Sequence, residues 1–334
     1  MPNIRATENR QQVASRASSY WTKENMENAT PVPLRTAPKD LLNQSGGQIG
    51  ASRVVSGALP KSARRQAAQT VEVPNYSQFP FSCVGKLFMR EGNRNFVGSA
   101  WVIGQQTIFS AAHCLFDDNG TFYDDVIFVP QFDNGQEPLG RFAAVQMAVD
   151  NRYTTLSGNH LNFDLGIAIL DRPVGNDTGI VSFAENPISQ IALGAQVTGV
   201  GYPANPPFDG TDMFQSTGSV VRDSAPGSAQ ERFFGAENNM TGGCSGGPWF
   251  DPGGVVVGLN SFVFEGEQPP IMHSPYFGQG FIDLVEWARE NGGGVPNGDP
   301  PIPDIPSTPN QSSDSIKEGL NKVVAELNAI IDSL

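Results

Sequence analysis

Glycine and proline interrupt the central part of this chain so often that only short elements of regular structure fit there. The 334 residues include 37 glycines and 26 prolines. Between about residues 71 and 291, short apolar runs rich in Val, Ile and Phe alternate with Gly, Asn, Asp or Pro, which predicts strands joined by tight turns. The predicted strands are Val84–Met89, Phe96–Ile103, Val126–Phe132, Leu165–Leu170, Gln196–Val200 and Gly254–Phe264. With one clear helix, Phe281–Glu290, this pattern favours an all-β barrel or sandwich over alternating βαβ units.

The first 70 residues differ from the rest in charge. They hold ten Lys and Arg residues against four Asp and Glu residues, although the whole chain has a net charge of −13. We interpret residues 1–70 as a basic, largely irregular N-terminal arm or pro-segment with a short helix around Ser18–Asn28. The pair Arg64–Arg65 lies in a small polar stretch that a trypsin-like enzyme could cut. An uncleaved flexible tail is the alternative.

The C-terminal end has an organisation of its own. Residues 71–291 form the predicted main domain, and residues 292–311 are a Pro- and Gly-rich linker. Residues 312–334 form a predicted amphipathic helix that opens with a capping box at Ser315 and Glu318. Its apolar side chains follow heptad spacing: Ile316, Leu320, Val323, Leu327, Ile330 and Leu334. So short a helix needs a partner surface, and we expect self-association or docking through residues 315–334, with packing onto the chain's own barrel as the alternative.

Composition excludes several classes of function. The acidic net charge disfavours nucleic-acid binding, which relies on clustered Lys and Arg. No run approaches the roughly 18 apolar residues of a membrane helix, so we expect no membrane partner. Three cysteines and three histidines show no zinc spacing, and we expect no metal and no cofactor. No apolar leader is visible in the first thirty residues.

Three short motifs carry the chemistry. His113 ends an apolar strand in Ser-Ala-Ala-His-Cys, and Asp164 stands at the head of the apolar run Phe-Asp-Leu-Gly-Ile-Ala-Ile-Leu. Ser245 lies in Gly-Cys-Ser-Gly-Gly-Pro, where the glycines allow main-chain N–H groups to converge on one point. Together these residues supply a base, an orienting acid, a nucleophile and oxyanion donors.

These blocks, in the order His, Asp, Ser, resemble the catalytic blocks of chymotrypsin-like serine proteases. The bacterial branch of glutamyl-endopeptidase-like enzymes is the most similar, because its serine loop need not carry an acid just before the serine. The resemblance covers about residues 71–290. It implies an all-β fold of two packed six-stranded antiparallel β-barrels with a terminal helix, an active site between the barrels, and a peptide or protein substrate. It also implies secretion, with a cytoplasmic location as the alternative.

The resemblance assigns roles to individual residues. His113 takes the proton of Ser245, Asp164 fixes the tautomer of His113, and an acyl-enzyme forms on Ser245. The N–H groups of Gly243 and Ser245 bind the oxyanion. The substrate-binding residues implied by the resemblance are Thr241, Asn260, Ser261, Phe262 and Val263.

The strand that pairs with substrate in this family indicates the residue after which the enzyme cleaves. Glutamyl-specific members place a histidine where Asn260 stands, and Val263 occupies a position where a glycine often opens the primary pocket. We therefore expect cleavage after small or medium uncharged residues.

Some positions depart from the family pattern. Cys244 replaces the aspartate that pairs with a new N-terminus in trypsin-type zymogens, so that activation switch is absent. Many relatives carry a cysteine at Val97–Gly98 that bonds the one after the catalytic histidine. Cys83 is the candidate substitute partner of Cys114, provided that the compartment is oxidising. His160 and His273 are interpreted as surface or loop residues.

Two other interpretations of the serine motif and of the domain are possible. An α/β-hydrolase, suggested by Gly-x-Ser-x-Gly, is unfavourable because Gly246, Gly247 and Pro248 would break the helix that must follow the serine. A catalytically silent protease-fold binding module, tethered through the C-terminal helix, stays open as the alternative to an enzyme.

Overall fold

The computed structural model describes residues 4–7, 13–38, 68–155, 160–184, 191–224, 232–267 and 270–297. The strands are β1 (Ile4–Ala6), β2 (Thr30–Pro31), β3 (Arg35–Ala37), β4 (Gln69–Glu72), β5 (Val84–Glu91), β6 (Arg94–Gly104), β7 (Thr107–Ser110), β8 (Asp124–Pro130), β9 (Phe142–Asp150), β10 (Gly166–Leu170), β11 (Gln196–Gly201), β12 (Phe214–Asp223), β13 (Phe233–Glu237), β14 (Pro248–Phe250), β15 (Val256–Leu259), β16 (Phe262–Phe264) and β17 (Ile271–Pro275). The helices are α1 (Val13–Tyr20), α2 (Lys23–Glu27), α3 (Asn151–Thr155), α4 (Gly175–Thr178) and α5 (Gln279–Glu290), and short 3₁₀ turns occupy Phe81–Cys83, Ala112–Cys114 and His160–Phe163.

The first sheet closes on itself as a six-stranded antiparallel barrel. Its order is β9-β10-β7-β6-β5-β8, and β8 pairs again with β9. The predicted terminal helix is present as α5, and its Phe281 ring lies 4.9 Å from that of Phe109 on β7. Because α5 covers one side of the barrel, strands such as β10 are buried on both faces and read as continuous apolar runs.

The second sheet runs β15-β14-β11-β12-β13-β17-β16 and continues into β3. Trp249 of β14 packs edge-on against Phe234 of β13, with ring centroids 5.3 Å apart. The predicted all-β, chymotrypsin-like architecture is confirmed, with the difference that the second barrel is not strictly closed: β15 and β16 share no ladder among the described residues.

The N-terminal arm is more ordered than predicted. Trp21 is almost fully buried on the first barrel, and its indole N–H donates a 2.5 Å hydrogen bond to the carbonyl of Asp125. Ala17 is fully buried, and Arg16 forms a 2.6 Å ion pair with the Asp125 carboxylate. The expectation of a largely irregular arm is therefore wrong for residues 13–38. A few widely spaced residues anchor this otherwise polar stretch to the first barrel. Their spacing produces no apolar periodicity in the sequence, so the pattern does not indicate the order.

Other predicted features fall partly or wholly outside the described residues. Residues 292–297 of the predicted linker lie against the first barrel, where the Gly293 carbonyl accepts a 2.7 Å hydrogen bond from Thr107 Oγ1. The rest of the linker, the helix of residues 312–334 and the pair Arg64–Arg65 lie outside the described residues. Within the described ranges, no helix is long and apolar enough to cross a membrane, and no group of three or more His, Cys, Asp or Glu residues could hold a metal ion.

Candidate active site

His113 and Asp164 are brought together by the pairing of two neighbouring strands. His113 lies in the 3₁₀ turn just after β7, and Asp164 lies two residues before β10. These strands pair antiparallel, with Ser110 opposite Gly166. The end of one strand therefore meets the beginning of the other, and residues 51 apart in sequence become neighbours.

Asp164 holds the imidazole through two contacts. Its Oδ2 lies 2.7 Å from His113 Nδ1, and its Oδ1 accepts a 2.8 Å hydrogen bond from the His113 backbone N–H. Both side chains are fully buried. Burial by itself lowers the pKa of His113, but the facing Asp164 carboxylate outweighs it and raises that pKa to about 9. Burial raises the pKa of Asp164, whereas His113 and the hydrogen bonds lower it more, so the net pKa lies below the ordinary value.

Ser245 reaches this pair from the second sheet. Its carbonyl accepts a 2.8 Å hydrogen bond from the N–H of Ser99 and a 3.5 Å contact from Cys114 Sγ, and Cys114 directly follows His113. Ser245 Oγ and His113 Nε2 are both buried, and neither has a hydrogen-bond partner among the described residues. These are the two atoms that a proton transfer from serine to histidine would join.

The glycines of the serine loop are required by its geometry. Gly243 has φ +99°, and a Cβ there would lie 2.5 Å from the carbonyl oxygen of Tyr202. Gly246 has φ +83°, and a Cβ there would lie 2.0 Å from Ser110 Oγ. Any larger residue would push the loop off the first barrel.

The main-chain N–H groups of this loop divide into two sets. Gly246 donates a 2.7 Å hydrogen bond to the Asn260 carbonyl, and Gly247 donates a 3.0 Å hydrogen bond to the Cys244 carbonyl. The N–H groups of Gly243 and Ser245 donate to no group in the described part of the chain. The two donors predicted for the oxyanion therefore have no acceptor within the described part of the chain.

Asn260 differs from its predicted role at the substrate. Its side chain is fully buried, and its Oδ1 accepts hydrogen bonds of 2.8 Å from Trp249 Nε1 and 3.1 Å from Asn238 Nδ2. Its Nδ2 donates to the carbonyls of Val200, at 3.0 Å, and Cys244, at 3.2 Å. With both ends of the amide engaged, Asn260 fastens the serine loop and has no donor left for a substrate.

The other predicted substrate-binding residues lie along the same edge of the site. Thr241 Oγ1 exchanges hydrogen bonds of 2.9 and 3.1 Å with the backbone of Asn205. The Ser261 hydroxyl donates a 2.5 Å hydrogen bond to Asp164 Oδ2, a third contact of this carboxylate that the sequence motif around Asp164 did not reveal. Phe262 and Val263 lie on β16; the Phe262 side chain is buried and that of Val263 is half-buried.

The proposed disulfide between Cys83 and Cys114 is absent. All three cysteines are free and buried. Cys83 Sγ donates to the carbonyl of Thr178 at 3.2 Å, whereas Cys114 Sγ faces the carbonyl of Ser245. A Cβ on Gly98 would lie 3.0 Å from Cys114 Sγ, so the position that Cys114 faces is the one where many relatives carry cysteine.

His273 is neither on the surface nor in a loop, which corrects its sequence interpretation. It lies on β17, fully buried, with its ring stacked 5.1 Å from that of Phe262. Its Nε2 lies 3.0 Å from Arg222 Nη1, and Arg222 also pairs with Glu267 at 2.5 Å. Burial and the Arg222 charge hold the pKa of His273 well below its usual range. No local sequence pattern indicates this cluster, because its members lie far apart in the chain.

Comparison with known proteins identifies the family. The profile of the trypsin-like peptidase domain matches residues 98–259. The crystal structure of the thermostable serine protease AL20, from an extremophilic microorganism, is 31% identical, with a TM-score of 0.52; the match covers 62% of this chain and 96% of AL20. The chain belongs to the trypsin-like serine protease family.

Two further proteins are similar to this chain. The protease Anisep from Arthrobacter nicotinovorans is 28% identical in sequence, with a TM-score of 0.53, and the match covers 62% of this chain and 95% of Anisep. A glutamyl endopeptidase of Bacillus licheniformis is 25% identical over 181 residues, which make up 54% of this chain. The match spans about half of that relative, 52% of its length.

Proposed function

We propose that this trypsin-like protein is a serine endopeptidase that hydrolyses peptide bonds through His113, Asp164 and Ser245. The observation that supports it most is the buried contact of 2.7 Å between His113 Nδ1 and Asp164 Oδ2, which leaves His113 Nε2 as the ring nitrogen that accepts a proton when the imidazole is neutral. A carboxylate at Nδ1 fixes the imidazole in the tautomer that a general base needs.

Each step of the reaction then has an assigned group. Ser245 Oγ attacks the peptide carbonyl carbon while its proton passes to His113 Nε2. The N–H groups of Gly243 and Ser245 stabilise the oxyanion that forms. His113 returns the proton to the leaving amine, which departs and leaves an acyl-enzyme on Ser245. A water molecule, deprotonated by His113, then releases the acid product and restores the serine.

The alternative is a catalytically silent binding module. A barrel pair that only binds has no need for a buried His–Asp pair, since burying such charges is costly unless they serve a purpose or are fully compensated. The unused N–H groups of Gly243 and Ser245 are likewise suited to a transient oxyanion. These features favour an enzyme.

The test compares peptide hydrolysis by the wild type with that by Ser245→Ala, His113→Ala and His160→Ala, before and after limited trypsin treatment of the arm. We expect Ser245→Ala and His113→Ala to lose about 10³-fold or more of the activity, and His160→Ala to keep it. Equal rates for wild type and Ser245→Ala after trypsin treatment of both would contradict the proposal.

Primary specificity is the finer part of this proposal. Val263 narrows the expected pocket, and the Asn260 amide has no free donor for a substrate carboxylate. We expect cleavage after small or medium uncharged residues when a peptide library is profiled. A dominant preference for Glu at the cleaved bond would contradict this expectation.

A further inference from the structure

We propose that Thr30–Ala37, here called the cleft segment, occupies the substrate site of the folded chain and keeps the protease inactive until the segment is displaced. This inference rests on the proposed function, because it takes β16 to be the strand that pairs with substrate. Three sets of contacts support it, together with the burial of the catalytic candidates and the attachment of the segment.

The first is the pairing of β16. One edge of β16 is paired with β17, with Phe262 opposite His273. The other edge is paired in parallel with β3, with Phe262 opposite Arg35 and Phe264 opposite Ala37. A strand has only two edges, and a peptide that adds to β16 must use the one that β3 fills. Binding of substrate and binding of the cleft segment therefore exclude each other.

The second set of contacts lies at the serine loop. Val32 is buried, and its N–H donates a 3.0 Å hydrogen bond to the carbonyl of Val97 on β6. The Val32 carbonyl oxygen lies 3.1 Å from the position of a Cβ on Gly242, so the segment packs directly on the loop that carries Ser245. The segment thus runs from the serine loop along β16.

The third set of contacts fills an apolar pocket. Ala37 is 1% exposed and clusters with four buried side chains: Leu161, Phe233, Phe262 and Phe264. Its carbonyl accepts a 3.0 Å hydrogen bond from the N–H of Glu265. In between, Arg35 forms a 2.7 Å ion pair with Asp118 across the cleft. The segment therefore has side chains seated on both walls.

The fourth observation concerns the catalytic candidates and the tether. His113 and Ser245 both have no exposed surface, so a substrate in solution cannot contact either. The cleft segment is continuous with α1 and Trp21, which are anchored on the first barrel. This attachment keeps the segment beside the cleft at a high effective concentration. The basic charge of the arm against an acidic body favours the same placement.

The test uses matched pairs of substitutions in the full-length chain. Ala37→Glu places a charge in the apolar pocket, whereas Thr36→Glu places the same charge on an exposed neighbour. Val32→Asp and the exposed control Pro33→Asp probe the other end of the segment. Each variant is assayed for peptide hydrolysis, for phosphonylation of serine by a fluorophosphonate, and for hydrogen exchange of the β16 amides.

We expect Ala37→Glu and Val32→Asp to raise the rate of hydrolysis and of phosphonylation by about tenfold or more, since the rate follows the fraction of open molecules. Thr36→Glu and Pro33→Asp should stay within about twofold of the wild type, as is usual for exposed positions. Faster hydrogen exchange of the β16 amides should accompany the rise in rate. An unchanged melting temperature of the variants excludes unfolding of the barrel as the cause of that rise.

A synthetic peptide of residues 30–38 provides the second arm of the test. Added to the Ala37→Glu chain, it should restore inhibition, and the same peptide carrying Glu at position 37 should not. The inference would be overturned if the wild type hydrolysed peptides as fast as Ala37→Glu does. It would also be overturned if the β16 amides of Ala37→Glu exchanged faster with no gain in the rate of hydrolysis. Either result, with Ser245→Ala inactive, would leave the proposed function intact. No phosphonylation of any variant with an open β16 would instead overturn the proposed function.

Discussion

Ser261 Oγ donates a 2.5 Å hydrogen bond to Asp164 Oδ2, and it thereby ties the second sheet to the carboxylate that faces His113. Both side chains are fully buried. The contact explains how the two halves of the proposed site stay aligned, although the His–Asp pair belongs to one barrel and the serine to the other sheet.

Replacing Ser261 with alanine should lower kcat by about tenfold with little change in KM, because a hydrogen bond to a charged group contributes about 1.5–3 kcal/mol. Steady-state kinetics on the Ala37→Glu background measure it, and Ser15→Ala on the exposed face of α1 is the matched control. An unchanged kcat would show that the carboxylate is held without Ser261.

The His113–Asp164 pair should also make stability depend on pH. The pKa of His113 is raised from 6.5 to about 9 in the folded chain, so its protonation stabilises the fold fully below pH 6.5 and no longer does so above about pH 9. We expect the unfolding free energy to fall across this window in denaturant titrations. His113→Gln should abolish this part of the decline, and His160→Gln should not. Parallel curves for wild type and His113→Gln would mean that the pair does not hold a proton more tightly in the folded state.

A disulfide can be introduced where the structure has left room for one. A Cβ on Gly98 would lie 3.0 Å from Cys114 Sγ, so Gly98→Cys should bond Cys114 under mild oxidation. Closing a loop of this size is expected to stabilise the fold by about 3 kcal/mol. Thiol counting in denaturant and the melting temperature report the result, with Ser15→Cys as the unpaired control. If Cys114 stays open to alkylation after oxidation, the predicted geometry is wrong.

Asn260 should matter for stability and not for substrate recognition. Asn260→Ala removes four hydrogen bonds and leaves buried partners such as Trp249 Nε1 unsatisfied. Each buried group left without a partner costs about 1–3 kcal/mol, so we expect a loss of several kcal/mol in urea unfolding, against almost none for the exposed Asn119→Ala. A change in cleavage preference at unchanged stability would return Asn260 to the substrate site.

The parts of the structure that could be predicted well are those that local sequence patterns determine. The strand before His113 and the strand after Asp164 are short apolar runs, and the serine loop is defined by its own glycines. Their motifs are contiguous, so their local structure and their chemistry could be inferred together. The all-β fold could be inferred because glycine and proline interrupt the chain so often that mainly short strands fit between them.

The parts that sequence missed depend on contacts between distant residues. β9, Phe142–Asp150, was not predicted, because its alanines and its burial on both faces remove the alternation that signals a strand. Ser261 and Asn260 lie side by side, yet one serves Asp164 and the other the serine loop. β3 pairs with the edge of β16 that β17 leaves free, a partner more than 200 residues away in the chain. No local pattern records any of these partners.

The most direct test of the account is the site of covalent labelling. The wild type and the Ala37→Glu chain are treated with a fluorophosphonate, digested, and examined by mass spectrometry, with Ser245→Ala and His113→Ala on the Ala37→Glu background as controls. We expect a single modified residue, Ser245, labelled faster in Ala37→Glu than in the wild type and not labelled when His113 is replaced. A label on another serine, or labelling of Ser245 that does not depend on His113, would contradict it.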